Sequence, residues 1–379
     1  MQLTARAEDM CAALQVAASV VEKKDPIRSL VKIDAKKGAL DFYTVGNKGG
    51  HCITVINCKV KTAGIVFVDA TTLLSVLKKC EEDTELSVKD NNLEVRNQNY
   101  KAKIIIVAES KKGAFPFKVI KGFDSIEGDL QELAAVMKYA VSSAGNLVIT
   151  EERGIGVLPE GKGVRISAID RNGALGYTAL VKCKVKDDLA GVIASTGLGQ
   201  FLMSLSRDGD DDVPVDISLG IDGGTVAVSH PMGYSYFPLL NGKPMETKKY
   251  LGLLKLDSPV VCVSAGLFNK AIKSVLLMGD AEEGYKGRML GCKGKIEVFS
   301  YSNSSGAAKN SVITAGDLVC DQWYNFRLLS DYISRIDPEQ EIRLHAVKGT
   351  VLVVQFDNSA YWLSPTEAPE GMKNAASKS

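Results

Sequence analysis

A chain of 379 residues is too long for one ordinary hydrophobic core and suits two or three domains. Apolar residues at 45% can fill several cores, while a formal net charge of +1 excludes a global field that would draw in nucleic acid or membrane. Any such attraction has to come from charges sorted onto one surface.

In chain order, residues 1–7 read as a strand, and Met10, Leu14, Ala17 and Val21 form an apolar helical stripe that Asp25-Pro26 should end. Leu30, Val31 and Ile33 make a strand, Lys37-Gly38 a turn, and Leu40, Phe42 and Val45 a further strand; residues 51–60 continue that sheet. Residues 65–68 then lead into a unit on which the whole chain is built. Asp69 can cap a helix faced by Leu73, Leu74 and Leu77, Lys78 and Lys79 close its last turn, and Leu86 and Val88 alternate as a strand. Asp90-Asn91-Asn92 turns the chain into Leu93 and Val95, and residues 100–107 form the last strand of the first copy.

The same unit returns with Phe201, Leu202 and Leu205 on a helix, Val215, Ile217 and Leu219 on a strand, and Asp222-Gly223-Gly224 as the turn. It returns again with Leu328, Leu329 and Tyr332, then Ile342 and Leu344, then Lys348-Gly349. Further helices are faced by Leu130, Leu133, Val136, Met137 and Val141, and by Leu267, Ala271, Val275 and Met278. Lys37-Gly38, Lys162-Gly163 and Lys293-Gly294 are Lys-Gly turns in matching hairpins. A long-period repeat of whole supersecondary units means three copies of one α+β domain. The boundaries fall at 1–116, 117–246 and 247–366, with a small, polar, disordered tail over 367–379.

Catalytic and metal readings find little. His51, His230 and His345 stand alone and read as surface or hairpin histidines. Cys11, Cys52, Cys58, Cys80, Cys183, Cys262, Cys292 and Cys320 form no C-x-x-C pair and fit a reducing compartment. Gly154-Ile155-Gly156 lacks the third glycine of a dinucleotide fingerprint, and the acidic run over 208–212 lacks the spacing and closing glutamate of a calcium loop. No cofactor and no metal are expected. No signal peptide and no membrane-spanning run are read, so the expected location is cytoplasmic. Cations do sort onto helices or their ends: Lys23, Lys24, Lys78, Lys79, Lys138, Arg207, Lys270, Lys273, Arg327 and Arg335 are the candidate DNA contacts.

Together these features resemble the bacterial sliding clamp, the β subunit of DNA polymerase III. The resemblance rests on the threefold plan and on the stretches VVEKKDPIRSLVKIDAKKGAL, VDATTLLSVLKKC, VRISAIDRNGAL, WYNFRLLSDYISRI and YWLSP. It implies three clamp domains, each of two strand–helix–three-strand units, with helices lining a ring and sheets outside. A head-to-tail homodimer would encircle duplex DNA without reading sequence and tether the replicative polymerase, doing no chemistry. The matching dimer-interface positions are Ala102, Ile104 and Ile106 on a sheet edge and Leu277 and Met278 at a helix end. The family's pocket for short hydrophobic peptides of polymerase and clamp loader maps onto Ile169, Arg171, Asn172, Ala174, Leu175, Pro244, Lys248, Trp362, Leu363, Ser364 and Pro365. Pro365 should take the chain out of its sheet and expose Trp362 or Leu363. Departures from the family's A-T-D-G-H-R-L and Met-Pro-Met stretches, and the added tail, would suit a clamp encoded by a bacteriophage and acting in its host's cytoplasm. A monomeric, sequence-independent DNA-binding repeat protein and an enzyme with an unrecognised site are the rival readings.

Overall fold

In the computed structural model each α-helix follows directly on a strand, and a local signal fixes several of these starts. The structure describes residues 1–107, 115–120, 126–144, 154–169, 175–186, 191–207, 216–222, 224–241, 260–282, 284–302, 304–347, 350–369 and 372. Among the described residues the α-helices are α1 (Ala7–Ala17), α2 (Ala70–Leu77), α3 (Leu130–Ser143), α4 (Thr196–Arg207), α5 (Ala265–Leu276) and α6 (Phe326–Ile333). Asp69 caps α2 by accepting from Thr72 N at 2.7 Å, Ser264 caps α5 through Leu267 N, and Asn325 caps α6 through Leu328 N. Among the described residues three strands follow each of α2, α4, α5 and α6, while α1 and α3 are followed by three strands and a short fourth, Lys59–Thr62 and Lys184–Val185.

The strands assemble by two recurring patterns. In the first, four strands run in the order Gly64–Asp69, Leu30–Lys36, Ala39–Gly46, Gly49–Ile56. The same order recurs as Val192–Ala194, Ile155–Pro159, Gly163–Ile169, Leu175–Lys182 and as Asp321–Asn325, Lys286–Cys292, Lys295–Ser302, Gly306–Ile313. The second pattern runs Gln2–Arg6, Asp83–Lys89, Asn92–Arg96, Lys101–Ile105. It recurs as Ile126–Asp129, Asp216–Asp222, Thr225–His230, Gly233–Leu240 and as Val261–Ser264, Glu341–Val347, Val351–Phe356, Ser359–Leu363. The α+β architecture of repeated units expected from the sequence is the one observed.

The chain divides into two compact units, one of residues 1–133, 183–189 and 200–240, the other of residues 134–182, 190–199 and 241–379. In the first unit, Leu3, Met10, Leu14, Ile33, Leu40, Phe42, Leu73 and Leu86 form one core, each fully buried. Each such aliphatic or aromatic side chain contributes roughly 1.5–3 kcal/mol. A sheet in this unit continues across copies, because Gly50, His51, Cys52 and Ile53 pair with Tyr236, Ser235, Tyr234 and Gly233. In the second unit Leu175–Ala179 pairs in the same way with Ser359–Leu363. These are the two junctions.

Four local expectations need correction. α1 stops at Ala17, well before Pro26, and tightens into a 3₁₀ turn over Ala18–Val20 while Thr44 Oγ1 donates to Ala17 O. Residues 51–60 are not one strand: Asn57 takes φ 62°, and Lys59–Thr62 pairs instead with Gln2–Arg6 in the other sheet. Leu267 and Leu328 lie on the exposed sides of their helices, since Phe268, Ala271, Ile272 and Val275, and Phe326, Leu329, Tyr332 and Ile333, supply the buried stripes. The three histidines are buried within strands rather than at the surface.

Candidate nucleic-acid interface and partner surfaces

Helices packed against sheets leave one face of each helix to solvent. On α2 that face holds Thr72 and Ser75, followed by Lys78 and Lys79, both exposed. On α5 it holds Leu267, Lys270, Lys273 and Ser274, and α6 presents Arg327, which lies over the Tyr285 ring at 5.0 Å. Lys138 is exposed on α3, and Lys23 and Lys24 are exposed in the loop after α1. The Arg207 side chain lies outside the described residues. Arg335 is engaged within the fold. Its guanidinium donates to Lys138 O at 2.7 Å, and its own carbonyl accepts from Tyr139 Oη at 2.8 Å. Sequence reading passed over acids on the same faces: Glu8 and Asp9 on α1, Glu132 on α3 and Asp331 on α6. α5 and α6 are joined through Asn269, which donates to Ser334 and accepts from Ser330.

Of the eleven positions matched to a peptide pocket, Arg171, Asn172, Ala174, Pro244 and Lys248 lie outside the described residues. Ile169 packs on a cluster of Val347, Val353, Ala360 and Trp362. Trp362 crosses over Gly176, its partner in the ladder, where a Cβ would collide with the indole. Leu175 and Leu363, paired with each other, lie one step along their strands and so face the opposite side of the sheet. Leu175 on that side lines a small cavity with Leu328, Tyr332 and Arg335. Trp362 and Leu363 are 2% and 3% exposed, which corrects the expectation that one of them emerges. Their strand has partners on both sides, Leu175–Lys182 and Val351–Phe356, and only beyond Leu363 does the chain leave, to bridge Trp323 through Thr366 N. Ser364 and Pro365 are half-buried on that path.

The positions matched to a dimer interface also separate. Lys101–Ile105 is an edge strand, with Asn92–Arg96 as its neighbour among the described residues. Ile104 and Ile106 point into their own core, Ala102 is half-buried, and the exposed side chain is Ile105, at 75%. Leu277 is 82% exposed just past α5, and Met278 is half-buried. A second edge strand, Gly306–Ile313, ends its sheet with Ile313 exposed; sequence reading gave it no role.

No protein-family model matches the sequence, and no curated relative matches it. Solved structures do. A sliding clamp from Pseudomonas aeruginosa, solved with griselimycin bound, superposes with a TM-score of 0.85 over 97% of this chain and 100% of its own, at 17% identity. The DNA polymerase III β subunit of Thermotoga maritima gives 0.84 at 16% identity, and the sliding clamp of Caulobacter crescentus 0.81 at 18%, with the same coverage. The chain has the sliding-clamp fold. Among the described residues, no group of three or more His, Cys, Asp or Glu side chains could hold a metal ion, and no helix is long and apolar enough to cross a membrane.

Proposed function

We propose that this chain is a DNA sliding clamp: two copies join head to tail into a ring around duplex DNA and tether a polymerase, with no chemistry of their own. The observation that carries the reading is a count of edges. Three four-stranded runs end in Gly49–Ile56, Leu175–Lys182 and Gly306–Ile313. Three others end in Lys101–Ile105, Gly233–Leu240 and Ser359–Leu363. Gly233–Leu240 pairs with the first of these and Ser359–Leu363 with the second. Of these six ends, and among the described residues, that leaves Gly306–Ile313 and Lys101–Ile105 without a further partner strand, one of each kind. A bare edge invites pairing. Repeating the same pairing between two chains satisfies both edges of both copies and closes the assembly at six domains, divided as 1–116, 117–246 and 247–366. Two isologous-looking edges would not do this; one of each kind gives a heterologous contact that a half-turn closes.

Core-facing residues on both edges are even-numbered, Ile104 on one and Val312 on the other, so even must oppose even across the join. The two existing junctions place a small residue opposite a large one, Gly50 against Tyr236 and Gly176 against Trp362. The matching pairs at the open join are Ala307 with Lys103 and Ala308 with Ala102. Leu277 and Met278 complete the contact. The exposed cations of α2, α3, α5 and α6 would meet phosphates without reading bases, leaving the ring free to slide in the cytoplasm where replication takes place. The surface around Ile169 and Trp362 would take a hydrophobic peptide of the polymerase or clamp loader, which keeps the enzyme at high effective concentration near its template.

An Ala102→Cys, Ala308→Cys double variant should give an oxidation-dependent covalent dimer that either single variant lacks. Loaded on closed-circular DNA and then oxidised, it should survive high salt and be lost once the circle is cut. Loss from the intact circle at the same salt would favour a monomeric binder and remove the ring.

A further inference from the structure

The outer faces of the three joins differ in chemistry, and the difference points to a partner. At the junction in the first unit, the chain's own segment 115–120 lies across the outer face. Phe117 sits 5.4 Å from Tyr236 and 5.0 Å from Tyr43, Ile120 packs with Val45, Ala227 and Tyr236, and Lys118 N donates to the Tyr236 hydroxyl. In the second unit the corresponding face is also apolar, built around Trp362. The join between subunits, which rests on the ring reading above, would put Lys103 where Tyr236 and Trp362 stand.

Its surroundings are cationic on both sides. Glu94, 8% exposed, is held by Arg96, Lys101 and Lys103 at 3.4–3.5 Å, three cations on one carboxylate. Glu297 on the other edge is held by Lys295 at 2.8 Å and Lys309 at 2.7 Å. These seven groups lie on odd-numbered positions of one edge pair and on the matching face of the other, away from both cores, so pairing brings them onto one continuous surface. Lys101 would stand opposite Lys309, a like-charge pair that opposes closure. Strands about 4.8 Å apart hold these charges well within a Debye length of one another. Both carboxylates are already used, so the surplus is positive.

We propose that the outer face of the subunit join is a docking surface for an acidic polypeptide segment of a partner protein, which neutralises this surplus and slows ring opening. An apolar peptide is excluded there by Lys103, and the surface exists only in the closed ring, so binding and closure are coupled.

Subunit exchange between donor- and acceptor-labelled rings measures opening directly. An acetylated hexaglutamate peptide should slow exchange at least several-fold beyond potassium chloride of equal ionic strength, and hexaglutamine should not. Lys309→Ala and, separately, Lys101→Ala should each slow exchange without peptide and reduce the peptide's further effect. A dimer that responds to hexaglutamate no more than to salt, or equally in both variants, overturns the docking surface alone. A chain that light scattering finds monomeric with and without the peptide overturns the ring reading and the surface with it.

Discussion

The junctions of the two units share a backbone solution and differ in what fills it. In the first, the core side of the paired strands carries His51, whose Nδ1 lies 2.7 Å from Ser235 Oγ and whose Nε2 lies 3.0 Å from Ser19 Oγ. His230 shares the same serine at 3.3 Å, and Phe201 stacks on His51 at 4.8 Å. In the second, Tyr177 and Tyr361 pair across the ladder, Tyr332 stacks on Tyr361 at 3.7 Å, and Tyr139 packs on both Tyr177 and Tyr332. Strand pairing sets the geometry of a join, then, and leaves its side chains free to take on other tasks. One join is filled with histidines and the other with tyrosines.

The comparison breaks first at the open join. Leu277→Asp with Met278→Asp puts two charges where the edges should meet and leaves both internal junctions untouched. The expected product is a folded monomer in light scattering, with unchanged circular dichroism. A dimer of wild-type stability would take the end of α5 out of the interface.

Acid should separate the two filled junctions. Burial, with His230's charge as a second cause, pushes His51 down to about 3, and burial pushes His230 down to about 4. Both folded values lie below the unfolded value near 6.5. The neutral rings are therefore favoured by folding, and their contribution is complete above pH 6.5. It is lost as pH falls from there toward the folded values. At pH 5 the loss is about 2 kcal/mol for each histidine, roughly 4 for both. Burial instead raises Tyr139 to about 12, and Tyr177 and Tyr332 are raised further, so these tyrosines do not titrate between pH 5 and 7. Hydrogen exchange corrected for intrinsic rates should show Gly233–Leu240 loosening at pH 5 while Ser359–Leu363 holds. His51→Gln with His230→Gln should flatten the pH dependence; equal loosening of both strands would deny the contrast.

Much of this fold was legible because its signals are local. Asp69 before an apolar stripe, the Lys37-Gly38 and Lys293-Gly294 turns and the alternation in Leu93 and Val95 each act within a few residues, whereas in the second copy the turn falls one residue earlier than expected, at Gly161-Lys162. What stayed hidden depends on distant partners. Nothing near His51 announces Ser235, 184 positions away. Leu267 and Phe268 are equally apolar, and only the sheet beneath α5 decides which is buried. The split between Gly49–Ile56 and Lys59–Thr62 turns on one left-handed residue, Asn57, which can adopt that conformation at modest cost. For the candidate site, repetition held more than was taken from it. Once Lys101–Ile105 is read as an edge, the same threefold logic requires a complementary edge, and Gly306–Ile313 follows without coordinates. The pocket positions divided between two faces because a one-residue step along a strand reverses the side chain, and a match by residue type ignores that parity.

The small-against-large pairs supply the finest test. Gly50 lies under Tyr236, and Gly176 lies under Trp362; a Cβ at either would overlap the ring above it. Overpacking of this kind costs about 1–3 kcal/mol. Tyr236 has a polar end that Lys118 N can follow and segment 115–120 above it, whereas Trp362 is wedged within its cluster at 2% exposure. Gly176→Ala should therefore destabilise more than Gly50→Ala, and in a Trp323→Phe background it should shift the emission of Trp362 to the red as the indole is lifted toward water. In the proposed subunit register Ala307 would lie under a flexible lysine of the second copy, so Ala307→Gly should cost the monomer no more than a glycine in an exposed strand does, roughly 0.5–1 kcal/mol. If Gly176→Ala changes neither emission nor stability, the ring has room the backbone pairing does not require, and the small–large rule used to set the subunit register loses its basis.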